Sequence, residues 1–357
     1  MGESERETLA RALQAAEHPP FELRTKEGGC ALFLPYGARV LGLFPSPEGP
    51  NCYYVDPRMG DPVQARQALG GAEWVNTGGD RTWLSPEIDT CIADFSDPWG
   101  TYKVPWSMDP GQHAVEFRGD MLRAGVSIQL PIHRKRTSCE IVLEKTVRLI
   151  ANPLRRETAA RGWLDQVRYV GYELVTTVCL RSVPEPSMCT GIWNIVALPA
   201  PGEILVPTLS RSEPRTYFGD VGANYLKVSE GSVHLRIDGA QRYKVGLRAT
   251  SLTGRAGYLR RLADGSVVLV VRNFDVDPSG EYVDVPWDAP DDLGYAFEAY
   301  NDDGYYGAFG ELEYHAPAIG GDTGRTSGED RSQVWAFHGP EGAVRAIAEA
   351  LLGGGVL

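Results

Sequence analysis

The sequence predicts an all-β fold: a large antiparallel β-supersandwich of two packed sheets, with short helices toward the N- and C-terminal ends. Three observations predict it. Apolar runs of strand length recur through nearly the whole chain, turn residues separate them, and clear helical periodicity occurs only toward the two ends. The length of 357 residues fits two average domains, but large β-sandwiches use such a length as one unit. The expected division is therefore an N-terminal helix within 1–20 and one sandwich domain over 21–357.

The elements follow in order. Residues 4–17 place Leu9, Leu13 and Ala16 on one helical face behind a potential cap at Ser4, and His18-Pro19-Pro20 ends the run. Strands are expected at 30–34, 40–44, 138–150, 168–180, 192–198, 234–237, 266–273 and 307–315, where apolar and β-branched residues dominate. Turn signals between them include Pro47-Glu48-Gly49, Pro201-Gly202, Asp238-Gly239 and Asp264-Gly265. The polar, Gly-rich stretches 57–72 and 317–331 read as loops. A second helix is expected at 342–352, with Val344, Ile347, Leu351 and Leu352 on one side and three glycines after it.

Composition removes several function classes. The formal net charge of -12 argues against nucleic acid, whose phosphates are bound by Lys and Arg. The one basic run, His133-Arg134-Lys135-Arg136, lies between strand-like segments and reads as a hairpin turn. No apolar run reaches the ~18 residues of a membrane span, and no signal-like segment opens the chain. The six cysteines form no C-x-x-C pair and several sit in apolar runs, as buried free thiols do. These features together predict a cytoplasmic protein. Nucleotide-binding glycine loops, H-E-x-x-H and G-x-S-x-G are absent, and six scattered histidines make no metal motif. No cofactor and no metal are expected. Nothing in the sequence sets an oligomeric state.

Two segments carry candidate chemistry. In 76–87, the pair Gly78-Gly79 allows close backbone approach, Arg81 is a forked donor, Trp83 a flat apolar surface, and Asp80 and Glu87 are acceptors. That mixture suits a polyol with one apolar face, and it also fits an ordinary hairpin whose Arg81 pairs with a carboxylate. In 310–317, strand alternation puts Glu311, Glu313 and His315 on one face. Neighbouring carboxylates push their pKa values apart, which makes an acid and a base from one residue type. A solvated strand face has the same alternation. Trp193-Asn194 and Tyr243-Lys244 add aromatic and polar groups within strands, and Tyr305 and Tyr306 lie shortly before Glu311.

In order, Gly78–Glu87, Tyr169-Val170-Gly171-Tyr172-Glu173, Ile192-Trp193-Asn194-Ile195, Tyr243-Lys244-Val245-Gly246 and Glu311-Leu312-Glu313 with Pro317 resemble the galactose-mutarotase-like (aldose 1-epimerase-like) superfamily, in particular a bacterial branch of it. The resemblance runs from about residue 30 to the C-terminal helix. It implies a small carbohydrate or sugar derivative as ligand and acid–base chemistry at or near the anomeric carbon. Leu312-Glu313 matches the family's base position, so Glu313, with Glu311 and His315 beside it, is the catalytic candidate. Asp80, Arg81, Trp83, Glu87, Trp193, Asn194, Lys244 and Tyr305 are the binding candidates. The family's acid histidine has no counterpart, because Gly191-Ile192 precedes Trp193-Asn194. His315, Asp80 or Glu87 could replace it. The alternatives are a non-catalytic carbohydrate-binding or regulatory protein, and a lyase or hydrolase using an acid–base pair or a tyrosine base such as Tyr305 or Tyr306 near Glu313.

Overall fold

The computed structural model describes residues 3–182 and 187–356. Residues 1, 2 and 357, inside the expected domain bounds, lie outside the described set, as do 183–186. Two ten-stranded sheets dominate, and every paired strand runs antiparallel. Across the first sheet the order is Phe21–Arg24, Cys30–Leu34, Arg39–Phe44, Asp80–Ser85, Cys189–Pro199, Phe309–His315, Phe297–Asn301, Tyr243–Leu247 and Arg215–Phe218. The short strand Ile319–Gly320 pairs with the start of Cys189–Pro199. The second sheet centres on the long strands Ser266–Phe274, Ser327–Pro340, Arg168–Leu180, Thr137–Leu149 and Met121–Ile132.

Alternation sorts each strand of the first sheet into two faces. Residues such as Val196, Leu198, Val245, Phe297, Ala299, Leu312 and Tyr314 point inward and meet Val170, Tyr172, Ile204, Val268, Val270 and Ala336 of the second sheet in the main core. The outer face of the second sheet is covered by the helix Glu341–Leu352, whose Val344, Ile347, Leu351 and Leu352 pack on Leu269, Trp335 and Phe337. The helix Glu5–Ala15 puts Leu9 and Leu13 on Leu32, Leu34, Leu41 and Phe44 at one end of the first sheet. Ser4 caps it, in a reciprocal pair with Glu7.

The two expected helices and all eight expected strands are present, with ends shifted by three residues or fewer. The two expected loops need correction. Within 57–72 lies a helix, Pro62–Leu69, capped by Asp61 and packed through Ala65, Ala68 and Leu69 against the N-terminal helix. Within 317–331, the strand Ser327–Pro340 begins early, at Ser327. The basic run forms a short helical turn between two strands, and its Arg134 pairs with Asp89.

Candidate functional site

What remains of the first sheet's outer face carries the site. Adjacent strands bring its side chains into register rows. Phe218, Lys244, Tyr300 and Glu311 stand side by side in one row. The next row holds Glu298, Glu313, Ile195 and Arg81, and the one after it His315, Trp193 and Trp83. A register shift between Thr216 and Phe218 lets consecutive residues serve this face, Tyr217 toward Glu298 and Phe218 toward the cavity. Loops close over the rows and leave a cavity of ≈ 420 Å³. The Gly78-Gly79 pair enters this region in left-handed conformation, φ 85° and 77°. A Cβ there would stand 2.1 Å from the Tyr54 carbonyl oxygen or 2.6 Å from that of Val40, so both positions require glycine.

Lys244 is the electrostatic centre of the floor. Its Nζ lies 2.7 Å from Glu298, 3.3 Å from Glu313 and 3.5 Å from Glu87. Burial alone would pull this ammonium down, but Glu298, Glu313 and Glu87 together hold it well above its usual value. Glu313 accepts the Trp193 indole N–H at 2.9 Å. Burial raises the Glu313 pKa to about 8; Lys244 opposes the rise, and Glu298, Glu311 and Glu87 add to it. Glu298 goes the other way: Lys244 and His315 overcome its burial and lower it. Glu87 accepts the Tyr102 hydroxyl at 2.8 Å through Oε1, and its Oε2 is the oxygen that faces Lys244. Arg81 pairs with Glu311 at 2.8 Å and lies 4.4 Å above the Trp83 ring.

Aromatic rings make the walls. Trp74, Trp83 and Trp193 meet edge to face, with Trp83 centroids 5.5 and 5.4 Å from the other two. One buried carboxylate fixes two of them: Asp109 Oδ2 accepts the indole N–H of both Trp74 and Trp83 at 2.9 Å. Its other oxygen pairs with the fully buried Arg39. Burial would raise Asp109, but Arg39 and the indole donors carry it below the usual carboxylate range. At the mouth, Trp99 packs on Trp287 and Phe218, and Arg242 lies over Trp99 and Tyr305.

Eight of the sequence candidates line this one cavity: Arg81, Trp83, Glu87, Trp193, Lys244, Tyr305, Glu311 and Glu313. Three do not. Asp80 neighbours Arg81 on a strand, so it points to the opposite face, where it accepts from Tyr172 and pairs with Arg272 between the sheets. Asn194 is turned inward for the same reason and contacts Thr82, Tyr314 and Asp330. His315 has the expected facing but lies under the floor: it stacks on Trp193 and stands 3.3 Å from Glu298. No histidine lines the cavity among the described residues. Lys244 and Arg81 are both ion-paired with internal carboxylates, Arg81 as the hairpin reading of 76–87 allows.

Asp284, Glu298 and His315 bring ligand atoms within 4.8 Å of one another beneath the floor, a set that could hold a metal ion. Glu298 already faces the Lys244 ammonium there and accepts the Tyr217 hydroxyl at 2.6 Å. Sequence reasoning missed Glu298, Asp109 and most of the aromatic wall. Glu298 and Tyr300 were within reach, because Phe297-Glu298-Ala299-Tyr300-Asn301 alternates as a two-faced strand does.

The model of a family of unknown function, DUF6786, matches residues 68–356. The chain belongs to this family. That span of DUF6786 contains every residue named in the floor. No curated protein matches the chain. Among solved structures similar to it are a candidate aldose 1-epimerase from Klebsiella pneumoniae subsp. pneumoniae MGH 78578 (9% identity, 93% of this chain and 83% of that one, TM-score 0.49), a GalM/aldose epimerase homologue from C. elegans (10%, 91% and 100%, 0.42) and a galactose 1-epimerase from Lactobacillus acidophilus NCFM (12%, 90% and 95%, 0.39). Likenesses this distant carry no functional weight, and the reading of the DUF6786 site rests on its geometry. No described helix is long and apolar enough to cross a membrane.

Proposed function

We propose that this cavity binds a carbohydrate and performs acid–base chemistry at or near its anomeric carbon. The observation that carries the reading is Glu313, a buried carboxyl on the floor of an aromatic-walled cavity, bonded to the Trp193 indole and 3.3 Å from Lys244; burial raises its pKa above the usual carboxylate range. Indole faces suit the apolar face of a pyranose, and paired charges suit its hydroxyls. At neutral pH such a group is a proton donor, so Glu313 takes the role of acid, not of the base that the superfamily resemblance implies. Glu87, which faces the Lys244 ammonium through Oε2 and accepts the Tyr102 hydroxyl at Oε1, is the acceptor. Lys244 holds the two carboxyls together and sets their proton balance.

The test is a panel of free aldoses followed by polarimetry and saturation-transfer NMR. Acceleration of anomer exchange for at least one sugar is expected, with a loss of about 10²–10⁴-fold in Glu313→Gln and a rate that falls above about pH 8 as Glu313 gives up its proton. No acceleration by the wild type, or full activity in the variant, defeats the catalytic reading. A second reading, binding without turnover, is favoured by one specific observation: every floor carboxyl already has an internal partner, and no cavity histidine stands ready among the described residues. Binding by calorimetry without any exchange would select it. Cleavage or elimination on an oligosaccharide, with Tyr305 or Tyr306 as base, would show as a change in product mass.

A further inference from the structure

The cavity has two zones of different character. The floor is charged and buried. The mouth is aromatic and partly open: Trp99 is 54% exposed and Tyr305 74%. Large rings left in water are ordinarily a cost, and Trp99 is held in place nonetheless, with centroids 4.7 Å from Trp287 and 5.2 Å from Phe218. Arg242 spans the gap, 5.6 Å from the Trp99 centroid and 5.2 Å from that of Tyr305, and Asp303 anchors it at 2.8 Å.

Two donors at this end have no acceptor. Arg242 Nε and Trp287 Nε1 are both buried and have no hydrogen-bond partner among the described residues. On the floor, Arg81 Nε is likewise without a hydrogen-bond acceptor among the described residues, while Glu87 Oε2 faces the Lys244 ammonium at 3.5 Å. Buried polar atoms without partners are costly, and these sit at both ends of one cavity whose lining includes Arg81, Arg242 and Trp287. A cavity of ≈ 420 Å³ is more than one pyranose ring fills. Each lining cation is ion-paired, Arg81 with Glu311, Lys244 with Glu298, and Arg242 with Asp303. That arrangement leaves no cation of the lining free for a phosphate or carboxylate.

We infer that the ligand is an uncharged glycan of at least two rings, the inner ring on the Glu313 floor and the outer ring on Trp99 and Arg242 at the mouth. The inference rests on the carbohydrate reading of the floor and extends it to a second subsite.

The test is calorimetry and ligand-observed NMR with glucose, galactose, mannose and N-acetylglucosamine, each against a disaccharide that contains it (maltose, cellobiose, lactose, mannobiose, chitobiose), plus galacturonate and galactose 6-phosphate. At least one disaccharide should bind about tenfold or more tighter than its monosaccharide, and the charged sugars no tighter than the neutral ones. Trp99→Ala should remove most of that disaccharide advantage, and Trp99→Phe should restore part of it. Trp99 is half open to solvent, so thermal melts should show both variants folded. Monosaccharide binding with no disaccharide gain, equal losses for both in Trp99→Ala, or tighter binding of the charged sugars overturns the two-ring inference and leaves the floor reading standing. No binding of any of these sugars overturns both.

Discussion

At the scale of single residues, the site is governed by a few buried charges. Glu313 is the clearest. Its folded-state pKa of about 8 lies above the 4.5 of an ordinary glutamate, so the native state holds this proton more tightly than the unfolded chain does. Stability therefore falls as pH rises from about 4.5 through about 8, and the sum is on the order of a few kcal/mol. Urea titrations across that window should show the decline in the wild type and a flatter course in Glu313→Gln. An equal slope in both would contradict the burial of a protonated Glu313. Asp109 gives a second expectation. Asp109→Ala strands the buried Arg39 and frees two indoles at once, a loss of about 3–5 kcal/mol with a shift in tryptophan emission. A variant with unchanged melting and emission would deny Asp109 that role.

How much of the site was legible depended on whether alternation was applied. Glu311 and Glu313 were found because the rule was used on their strand. Asp80 and Asn194 were misassigned because chemistry was weighed there without facing, and each is one residue away from a true lining residue. His315 faces correctly, but how deep a side chain sits depends on what packs above it, here Trp193, and one strand cannot reveal that. The loop aromatics Trp99 and Trp287 carry no period at all, so only tertiary structure places them.

At the scale of elements, strands such as Cys30–Leu34, Arg39–Phe44 and Ser266–Phe274 were legible because they are buried on both faces and largely apolar, and Thr137–Leu149 because its burial alternates. The helix Pro62–Leu69 was missed since its eight residues sit between an Asp-Pro start and two glycines, which resemble a loop. The early part of Ser327–Pro340 was missed because its buried positions, Asp330 and Ser332, are polar. Helix energetics can be checked directly. Ser4→Ala removes a capping box and should cost about 0.5–2 kcal/mol. Ile347→Ala opens the interface between the C-terminal helix and the second sheet and should cost about 2–5 kcal/mol. Chemical denaturation of each variant measures both, and a larger loss for the cap than for the core residue would be unexpected.

At the scale of the whole molecule, the main core is shared by both sheets, and the cavity is built on the reverse face of one of them. Pocket and core should therefore be lost together. Tryptophan emission, which reports the cavity, and far-UV circular dichroism, which reports the sheets, should give one coincident unfolding transition. Separate midpoints would instead divide the chain into independent units.

The strand order of the first sheet has a consequence for biosynthesis. Asp80–Ser85 is hydrogen-bonded to Cys189–Pro199, and that strand in turn to Phe309–His315. A ribosome delivers these three pieces far apart in time: about 220 residues separate the first from the last, on the order of ten to fifty seconds of elongation. Throughout that interval Arg81 has no Glu311 to meet and Trp193 no Glu313. The nascent chain exposes apolar strand edges until the Phe309–His315 segment emerges, and such unpaired edges are where a slowly completed sheet is open to aggregation.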